Sequence, residues 1–398
     1  MISNDLKDYL KRRFQGYKAY SLAKKIKNHL EDHKVVSLRP TGPCCGNVLL
    51  SYLLKPFVLK SGQSVSHFHS NYSEALLIAQ TFLELGYSVD VINWWNQKFI
   101  PRKEYAFFID SRWNMERLAP LLGKNCIKIF HIDLCHMLFN NAAEASRLLA
   151  LQQRRGVTLR PRRFEYPNLG IEHADYATML GNDFTENTFR YANKPIFRVP
   201  IIPPSLSFSS QGKDFHSCRK NFVWFGNGGL ARKGLDLVLE CFAEMPDCHL
   251  TVCGPISNER DFEKAFYKEL YESKNIRTVG WVDVHSREFH DIAQHALGLV
   301  FPSSSEGQCG GVVTCMHAGL IPIVSYESGI DVDSFGVVLK DCSIEEIKKT
   351  VRYVSSLPGE QLEGMARRAC AFAQANHSKE RFAERYRQVI TAILADRR

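Results

Sequence analysis

Short apolar runs alternate with longer amphipathic segments along most of the chain. Residues 73–86 form a typical helical segment, with Ser73 at the position of an N-cap and Gly86 at the position of a helix stop. A second such segment, 140–156, ends at Gly156. The predicted strands are 47–54, 87–94, 104–110, 126–133, 174–181, 221–227, 249–254, 276–281, 297–301 and 321–326, and a further strand leads into a proline-containing connection within 196–207. This alternation predicts an α/β fold built of βαβ units on parallel sheets.

The strands fall into two blocks that meet near Pro200–Ser207, and a chain of 398 residues is long enough for two domains. We therefore predict two Rossmann-like domains that face each other across a cleft. The first comprises residues 1–203 and is joined by a C-terminal helix at about 378–398. The second comprises residues 204–377.

The chain is mildly basic, with a formal net charge of +9. This charge suits an anionic small substrate or an anionic membrane face, and general colloidal charge is an equally good explanation. The segment up to Asp32 has the pattern of a basic amphipathic helix, for which packing on the domain is favoured over membrane association. Without a signal-like or membrane-spanning apolar run, we expect a cytoplasmic protein, with peripheral contact at the inner face of a membrane as the alternative.

The 12 cysteines follow no framework, and no CxxC pair occurs. We expect reduced thiols and no metal site. The acidic pair Asp331 and Asp333 is interpreted as part of a loop.

The stretch "FGNGGLARKG" places glycines at the end of one predicted strand, followed by Arg232 and Lys233 at the start of a helix. Backbone N–H groups and a helix N-terminus favour anions, and a cation there reaches a phosphate directly. A glycine-rich turn with a solvated basic pair explains the same residues equally well.

The stretch "PSSSEGQCGG" places Glu306 just after another strand, with Gly310 and Gly311 at a helix start. The glycines leave room for phosphates to approach the backbone, and the carboxylate can accept hydrogen bonds from sugar hydroxyls. The alternative is a loop carboxylate with a helix-capping turn.

A third strand end, "TVGWVD", could flank a nucleobase with Trp281, although a core position is the favoured interpretation of that side chain.

In their order and spacing, these three motifs resemble retaining glycosyltransferases of family 4, which have the GT-B fold. The resemblance covers most of residues 222–331 and extends more loosely over the N-terminal half. It implies a metal-independent transferase that moves a sugar from a nucleotide-diphosphate sugar to a glycan, lipid-linked or other acceptor, with no further cofactor. A catalytically weak or inactive relative that binds a glycan or a partner protein is the alternative, and a nucleotide-sugar epimerase is a third.

The resemblance also assigns roles to individual residues. Lys233 matches the lysine that contacts the donor diphosphate, and Glu306 begins the family's Glu-x7-Glu motif, whose second glutamate is replaced by Thr314. Asn227 stands in place of the usual arginine, and Arg232 is expected to supply that charge. The predicted donor-binding residues are Gly226, Asn227, Gly228, Gly254, Trp281, Val282, Gln308, Cys309, Gly310, Gly311 and Thr314.

The N-terminal half is expected to hold the acceptor. Candidate acceptor-binding residues in "SHFHSNYSE" are His67, His69, Ser70 and Asn71. His131 matches the family's cleft histidine better than His136 does, although a histidine without a site role is the favoured interpretation of each.

The basic run 152–166 could hold an anionic acceptor, but a structural role beside neighbouring acids is favoured. Nucleic acid is not expected as a partner, because no aromatic-interleaved platform accompanies the charges.

Overall fold

The computed structural model describes residues 33–58, 70–204, 212–332 and 334–397 of the chain. The predicted N-terminal helix up to Asp32 and the candidate residues His67 and His69 lie outside the described part.

The N-terminal half contains a seven-stranded sheet in the order β1-β3-β2-β4-β5-β6-β7. All neighbouring strands are parallel except β1, which runs antiparallel to β3. The strands are β1 Val35–Leu38, β2 Gly46–Tyr52, β3 Tyr87–Asn93, β4 Phe107–Asp110, β5 Ile127–Ile132, β6 Tyr176–Met179 and β7 Ile196–Arg198.

The C-terminal half contains a six-stranded, fully parallel sheet in the order β10-β9-β8-β11-β12-β13. Its strands are β8 Asn221–Phe225, β9 His249–Cys253, β10 Ile276–Gly280, β11 Gly298–Phe301, β12 Ile321–Ser325 and β13 Val337–Leu339. The short strands β1 and β13 were not predicted; each lies at the edge of its sheet, and its side chains are partly exposed.

Helices connect the strands in both halves. Those of the N-terminal half are Ser70–Glu84, Met115–Leu118, Met137–Arg155 and Asp183–Phe189. Those that follow are Leu235–Ala243, Arg260–Ala265, Tyr267–Tyr271, Arg287–Gln294, Gly310–His317, Ile344–Ser356, Gly359–Asn376 and Lys379–Asp396.

The predicted helix limits are partly correct. The Met137–Arg155 helix ends where predicted, because Gly156 takes the left-handed conformation (φ 67°) and its N–H bonds to Gln152 O. The first helix begins at Ser70 rather than after Ser73, so Ser73 lies in its first turn and the N-cap prediction is wrong.

The strands are apolar because both faces of each sheet are covered. Residues of β11 and β12 are buried throughout, and so are Leu49 and Leu50 of β2. No helix in the described residues is long and apolar enough to cross a membrane.

The last helix, Lys379–Asp396, returns to the N-terminal half. Tyr386 is buried against Phe82 of the Ser70–Glu84 helix, with ring centroids 6.4 Å apart. Tyr176 at the start of β6 donates to Asp396 at 2.7 Å. These contacts tie the chain's end to the first sheet.

The basic run holds the two halves together. Arg154 pairs with Asp236 at 2.8 Å, Arg155 pairs with Glu269 at 2.6 Å, and Arg162 pairs with Asp261. Each of these carboxylates belongs to the C-terminal half, which agrees with the favoured structural role for most of this run.

Candidate functional site

A cleft of about 440 Å³ lies between the two halves, at the carboxyl ends of the strands. Open parallel sheets bind ligands at this edge, because the loops after successive strands converge there. The predicted site residues that line the cleft are Ser70, Asn71, Gly226, Asn227, Lys233, Gly254, Trp281, Val282, Glu306, Cys309, Gly310, Gly311 and Thr314. The two glycine-rich turns of the C-terminal half therefore share one hollow.

The first turn follows β8 and delivers Lys233 to the cleft. The Lys233 N–H bonds to Gly229 O, and its carbonyl accepts a hydrogen bond from the buried Trp224 ring at 3.2 Å. Gly234 has φ 74°, and a Cβ there would lie 2.4 Å from Pro302 O. Only glycine fits at that point, so the position of Lys233 is set by the backbone on both sides of it.

Glu259, which was not predicted, occupies the backbone N–H groups of this turn. Its carboxylate is buried and accepts from the N–H groups of Gly229 and Leu230. These amides are consequently not available to a phosphate. The prediction that the first turn binds an anion through its backbone is wrong at Gly229 and Leu230, and Lys233 is the group the turn offers.

Glu306 lies 2.5 Å from Lys233 Nζ and accepts a hydrogen bond from Ser303 at 3.0 Å. Burial alone would raise its pKa, but Arg232 and Lys233 outweigh burial and lower the pKa to about 2. The carboxylate is therefore ionised at neutral pH. Each of these contacts is to Oε1, and no described residue donates a hydrogen bond to Oε2.

Arg232 does not line the cleft. Its guanidinium is buried, donates to Ser305 O, and lies 3.4 Å from Asn140 Oδ1 and 3.5 Å from Glu306 Oε1. The expectation that Arg232 contacts the diphosphate is therefore wrong. Its side chain lies in the contact between the two halves, and it affects the cleft only through its interaction with Glu306.

The second turn leads into the Gly310–His317 helix. A Cβ on Gly311 would lie 3.3 Å from Phe225 O, so a side chain would narrow the space beside the helix start. Cys309 is the N-cap residue, and burial followed by the charge of Glu306 raises the pKa of its thiol to about 11, which keeps it neutral. Thr314 faces the cleft and donates to Gly310 O at 2.8 Å.

Two predicted donor residues lie off the cleft. Gln308 uses its side-chain oxygen to accept from Ile201 N at 2.7 Å, which fixes the connection between the halves. Gly228 does not line the cleft, and its carbonyl accepts a hydrogen bond from Arg163.

Residues that follow β9 and β10 form a third part of the donor side of the cleft, next to the two glycine-rich turns. Gly254 lies close to the first turn, since a Cβ there would be 2.7 Å from Gly226 O. Trp281 is 58% exposed and lines the cleft beside the buried Val282. The favoured interpretation of Trp281 as a core residue is therefore wrong.

On the N-terminal side, Ser70 and Asn71 line the cleft at the start of their helix. Asn71 Nδ2 lies 3.4 Å from Asp133, which follows β5 and pairs with Arg112 at 2.9 Å. Asp133 and Arg112 were not predicted. A charged residue at the end of a predicted strand was the signal that could have identified Asp133.

His131 is not at the cleft. Its ring is 1% exposed, lies 2.9 Å from Thr178 Oγ1 and packs against the Tyr52 ring. His131 lies within β5 and its ring is enclosed in the N-terminal core, whereas Asp133 follows Ile132, the last residue of the strand, and lies beside Asn71. His136 caps the Met137–Arg155 helix by accepting from Leu138 N.

Another residue missed by the sequence analysis is Arg163, which lines the cleft from the N-terminal half. It belongs to the basic run that otherwise has a structural role. In the described part of the chain, no group of three His, Cys, Asp or Glu side chains is placed to hold a metal ion.

Residues 214–372 match the family model described as glycosyl transferases group 1. A comparison with curated proteins gives no match. Among solved structures, the chain is similar to sucrose-phosphate synthase from Thermosynechococcus elongatus, with a TM-score of 0.60 and 14% identity over 88% of this chain and 99% of the other. It is similar to Anabaena HepE in complex with UDP and glucose, with a TM-score of 0.52 and 12% identity over 88% of this chain and 99% of the other.

The chain spans 58% of the length of TarM from S. aureus, which it matches over 79% of its own length with 11% identity and a TM-score of 0.48. The likeness to the first two structures confirms the predicted fold, in which two Rossmann-like units with parallel sheets form the GT-B arrangement.

Proposed function

We propose that the chain is a retaining, metal-independent glycosyltransferase, since residues 214–372 match the family model described as glycosyl transferases group 1. Its donor is a nucleotide-diphosphate sugar, and its acceptor is a glycan, a lipid-linked sugar or another hydroxyl compound held by the N-terminal half. The HepE structure holds UDP and glucose, so a UDP-sugar is the first donor to test.

The observation that carries this proposal is the shared cleft of Lys233, Glu306 and the Gly310–Gly311 helix start. An ammonium group and the N-terminus of a helix both attract a diphosphate. As the bond between the sugar and the diphosphate breaks, negative charge grows on the phosphate oxygens. Lys233 and the helix start then stabilise the leaving group more strongly than they stabilise the bound donor.

Glu306 is suited to positioning rather than to proton donation. With its pKa at about 2 it carries no proton at neutral pH, and Lys233 and Ser303 hold it through Oε1. The other carboxylate oxygen, Oε2, then accepts a hydrogen bond from a hydroxyl of the donor sugar. The negative charge beside the reacting carbon also steadies positive charge that develops there.

Retention follows from attack of the acceptor on the face that the diphosphate leaves. In the described lining of the cleft, Glu306 is the one carboxylate, whereas double displacement with paired carboxyl groups needs a second. The departing phosphate oxygen therefore takes the proton of the acceptor hydroxyl. Ser70 and Asn71 orient the acceptor, and Asp133 and Arg112 support Asn71 from behind.

The test is turnover of UDP-sugars with a panel of sugar acceptors, with the anomeric configuration of the product assigned by NMR and the assay repeated in EDTA. We expect a product with the donor's anomeric configuration and an unchanged rate in EDTA. An inverted product would contradict retention, and loss of activity in EDTA would contradict metal independence.

One observation favours the alternative, a weak or inactive relative that binds a glycan or a partner protein. The Asn227 side chain accepts a hydrogen bond from Gly228 N at 2.9 Å, and the Thr314 hydroxyl donates to Gly310 O. The two residues that replace the family's arginine and second glutamate therefore bind nearby backbone groups. Calorimetry separates the two functions. Saturable nucleotide binding that depends on Lys233 supports the enzyme, and glycan binding without nucleotide binding supports the alternative.

A further inference from the structure

The donor side of the cleft lacks a side-chain cation at residue 227, where the family's motif usually has an arginine. Asn227 carries no charge, and Arg232 is buried between the halves and does not line the cleft. Lys233 is the C-terminal half's one cationic side chain among the described residues that line it. A nucleoside diphosphate carries more negative charge than one ammonium group balances.

The N-terminal half places a second cation at this position. Arg163 lines the cleft, and its Nε donates to Gly228 O at 3.2 Å, one residue beyond Asn227. A Cβ built on Gly229 would lie 2.7 Å from Arg163 Cγ and 3.3 Å from Nε. The Arg163 side chain therefore lies directly on the first turn, in space that only a glycine leaves open.

The backbone of Arg163 is held firmly by buried groups. Its N–H bonds to both oxygens of Glu144, and its carbonyl accepts from Asn140 at 2.6 Å. Glu144 is 2% exposed and Asn140 is fully buried. Asn140 also accepts from Ser305, which precedes Glu306, so Arg163 is connected to the loop of the second turn.

The guanidinium of Arg163 differs from its neighbours in the basic run. Arg154, Arg155 and Arg162 each end on a carboxylate of the C-terminal half. Arg163 has no carboxylate partner within the described residues, and its two terminal nitrogens have no hydrogen-bond partner there. An arginine fixed by its backbone, with an uncommitted fork in an anion-binding cleft, is suited to phosphate oxygens.

We propose that Arg163 binds the donor's diphosphate, so that the N-terminal half supplies the cation that is absent at Asn227. The inference rests on the proposed function, since it assumes that a diphosphate occupies this cleft. Its consequence is that donor binding draws on both halves of the molecule, and the diphosphate holds them together.

The experiment measures the affinity of the full-length protein for UDP, uridine and inorganic pyrophosphate by calorimetry. Arg163→Ala is expected to weaken UDP and pyrophosphate binding by about tenfold or more while leaving uridine binding unchanged, because one charge-assisted contact is lost. Arg163→Lys is expected to restore part of the affinity. The matched control is Arg160→Ala, which removes the same charge from an exposed arginine of the same basic run and is expected to change none of the three affinities.

A second variant separates ligand contact from a structural role. In the Arg163→Ala protein, Asn227→Arg returns a cation to the same turn and is expected to recover pyrophosphate affinity. If Arg163 only stabilised the turn, Arg163→Ala would lower the melting temperature and weaken uridine and UDP binding alike, which would overturn the proposal.

The two possible failures are distinguishable. UDP and pyrophosphate binding that depends on Lys233 but is unchanged in Arg163→Ala would overturn the role of Arg163 and leave the proposed function standing. Absence of UDP and pyrophosphate binding by the unaltered protein would overturn both.

Discussion

The two walls of the cleft are built in different ways. The C-terminal wall consists of tight turns around a buried ion pair, since Lys233 and Glu306 are each less than one-tenth exposed and lie 2.5 Å apart. The N-terminal wall consists of side chains presented from a helix start and a loop, among them Asn71 and the exposed Arg163. The ion pair of the first wall is fixed before a ligand arrives, whereas the exposed side chain of Arg163 in the second wall can adjust to one.

In the proposed reaction, this difference separates stabilisation of the leaving group, on the C-terminal wall, from recognition of the acceptor, on the N-terminal wall. Charge that grows on a leaving diphosphate is stabilised best by groups that do not have to reorganise, which the buried wall provides. Acceptors vary in shape, and a wall of polar side chains supported by Asp133 and Arg112 suits their recognition. The predictions below test this division, beginning with the largest expected effect.

Lys233→Ala is expected to lower turnover of a nucleotide-sugar by about 10³-fold, because one fixed donor to the leaving group is lost. The measurement is the steady-state rate at saturating donor. Lys220→Ala is the matched control, because Lys220 is an exposed lysine of the same half that pairs with Asp247. Near-normal turnover of the Lys233 variant, with the fold intact by circular dichroism, would contradict the role of the buried wall.

Gly307→Ala is expected to disturb the fit between the walls. A Cβ there would lie 2.4 Å from Asp133 O and 2.9 Å from Leu134 N, both backbone atoms of the N-terminal half. Since backbone cannot move aside locally, we expect the halves to separate and turnover to fall by about tenfold or more. Small-angle scattering and turnover check this together. Gly359→Ala is the control, because a Cβ there meets nothing within 4 Å. Unchanged activity of the Gly307 variant would show that the walls need not be this close.

Glu306 is expected to make the buried wall sensitive to acid. Its pKa falls from 4.5 to about 2 on folding, so its contribution to stability is present above pH 4.5 and is lost as the pH falls towards 2. At about 1.4 kcal/mol per pH unit, this interval corresponds to roughly 3 kcal/mol. Urea unfolding across this pH range should show a shallower acid loss for Glu306→Gln than for the unaltered protein. Parallel pH profiles would contradict the lowered pKa.

His131→Phe is expected to change turnover by less than about threefold, the smallest effect of the series. The ring packs in the N-terminal core against Tyr52 and does not reach the cleft, and phenylalanine keeps most of that packing. Loss of the contact to Thr178 is expected to lower the melting temperature instead. A large fall in turnover without a loss of stability would restore His131 to the site.

Local pattern together with the family resemblance predicted most of the C-terminal wall. Glu306, Gly310 and Gly311 follow a strand within ten residues, and the end of a parallel strand determines where such a loop lies. Glu259 and Arg163 could not be predicted in this way, because they reach the first turn from about 30 and 65 residues away along the chain. Their positions depend on how helices and halves pack.

The wrong predictions for His131 and Arg232 also arise from packing that a local sequence pattern does not show. His131 and Arg232 have suitable chemistry and positions near strand or helix ends, but one faces the core and the other faces the contact between the halves. Which way a side chain turns at such a point depends on neighbouring elements. The sequence therefore located the edge of the sheet where the cleft lies, and packing decided which side chains line that cleft.

The central claim is that the two glycine-rich turns hold a diphosphate between Lys233 and the start of the Gly310–His317 helix. A crystal structure of the protein with UDP tests it most directly. We predict diphosphate oxygens within hydrogen-bond distance of Lys233 Nζ and of the Gly310 and Gly311 N–H groups. A diphosphate bound away from these three groups would contradict the claim.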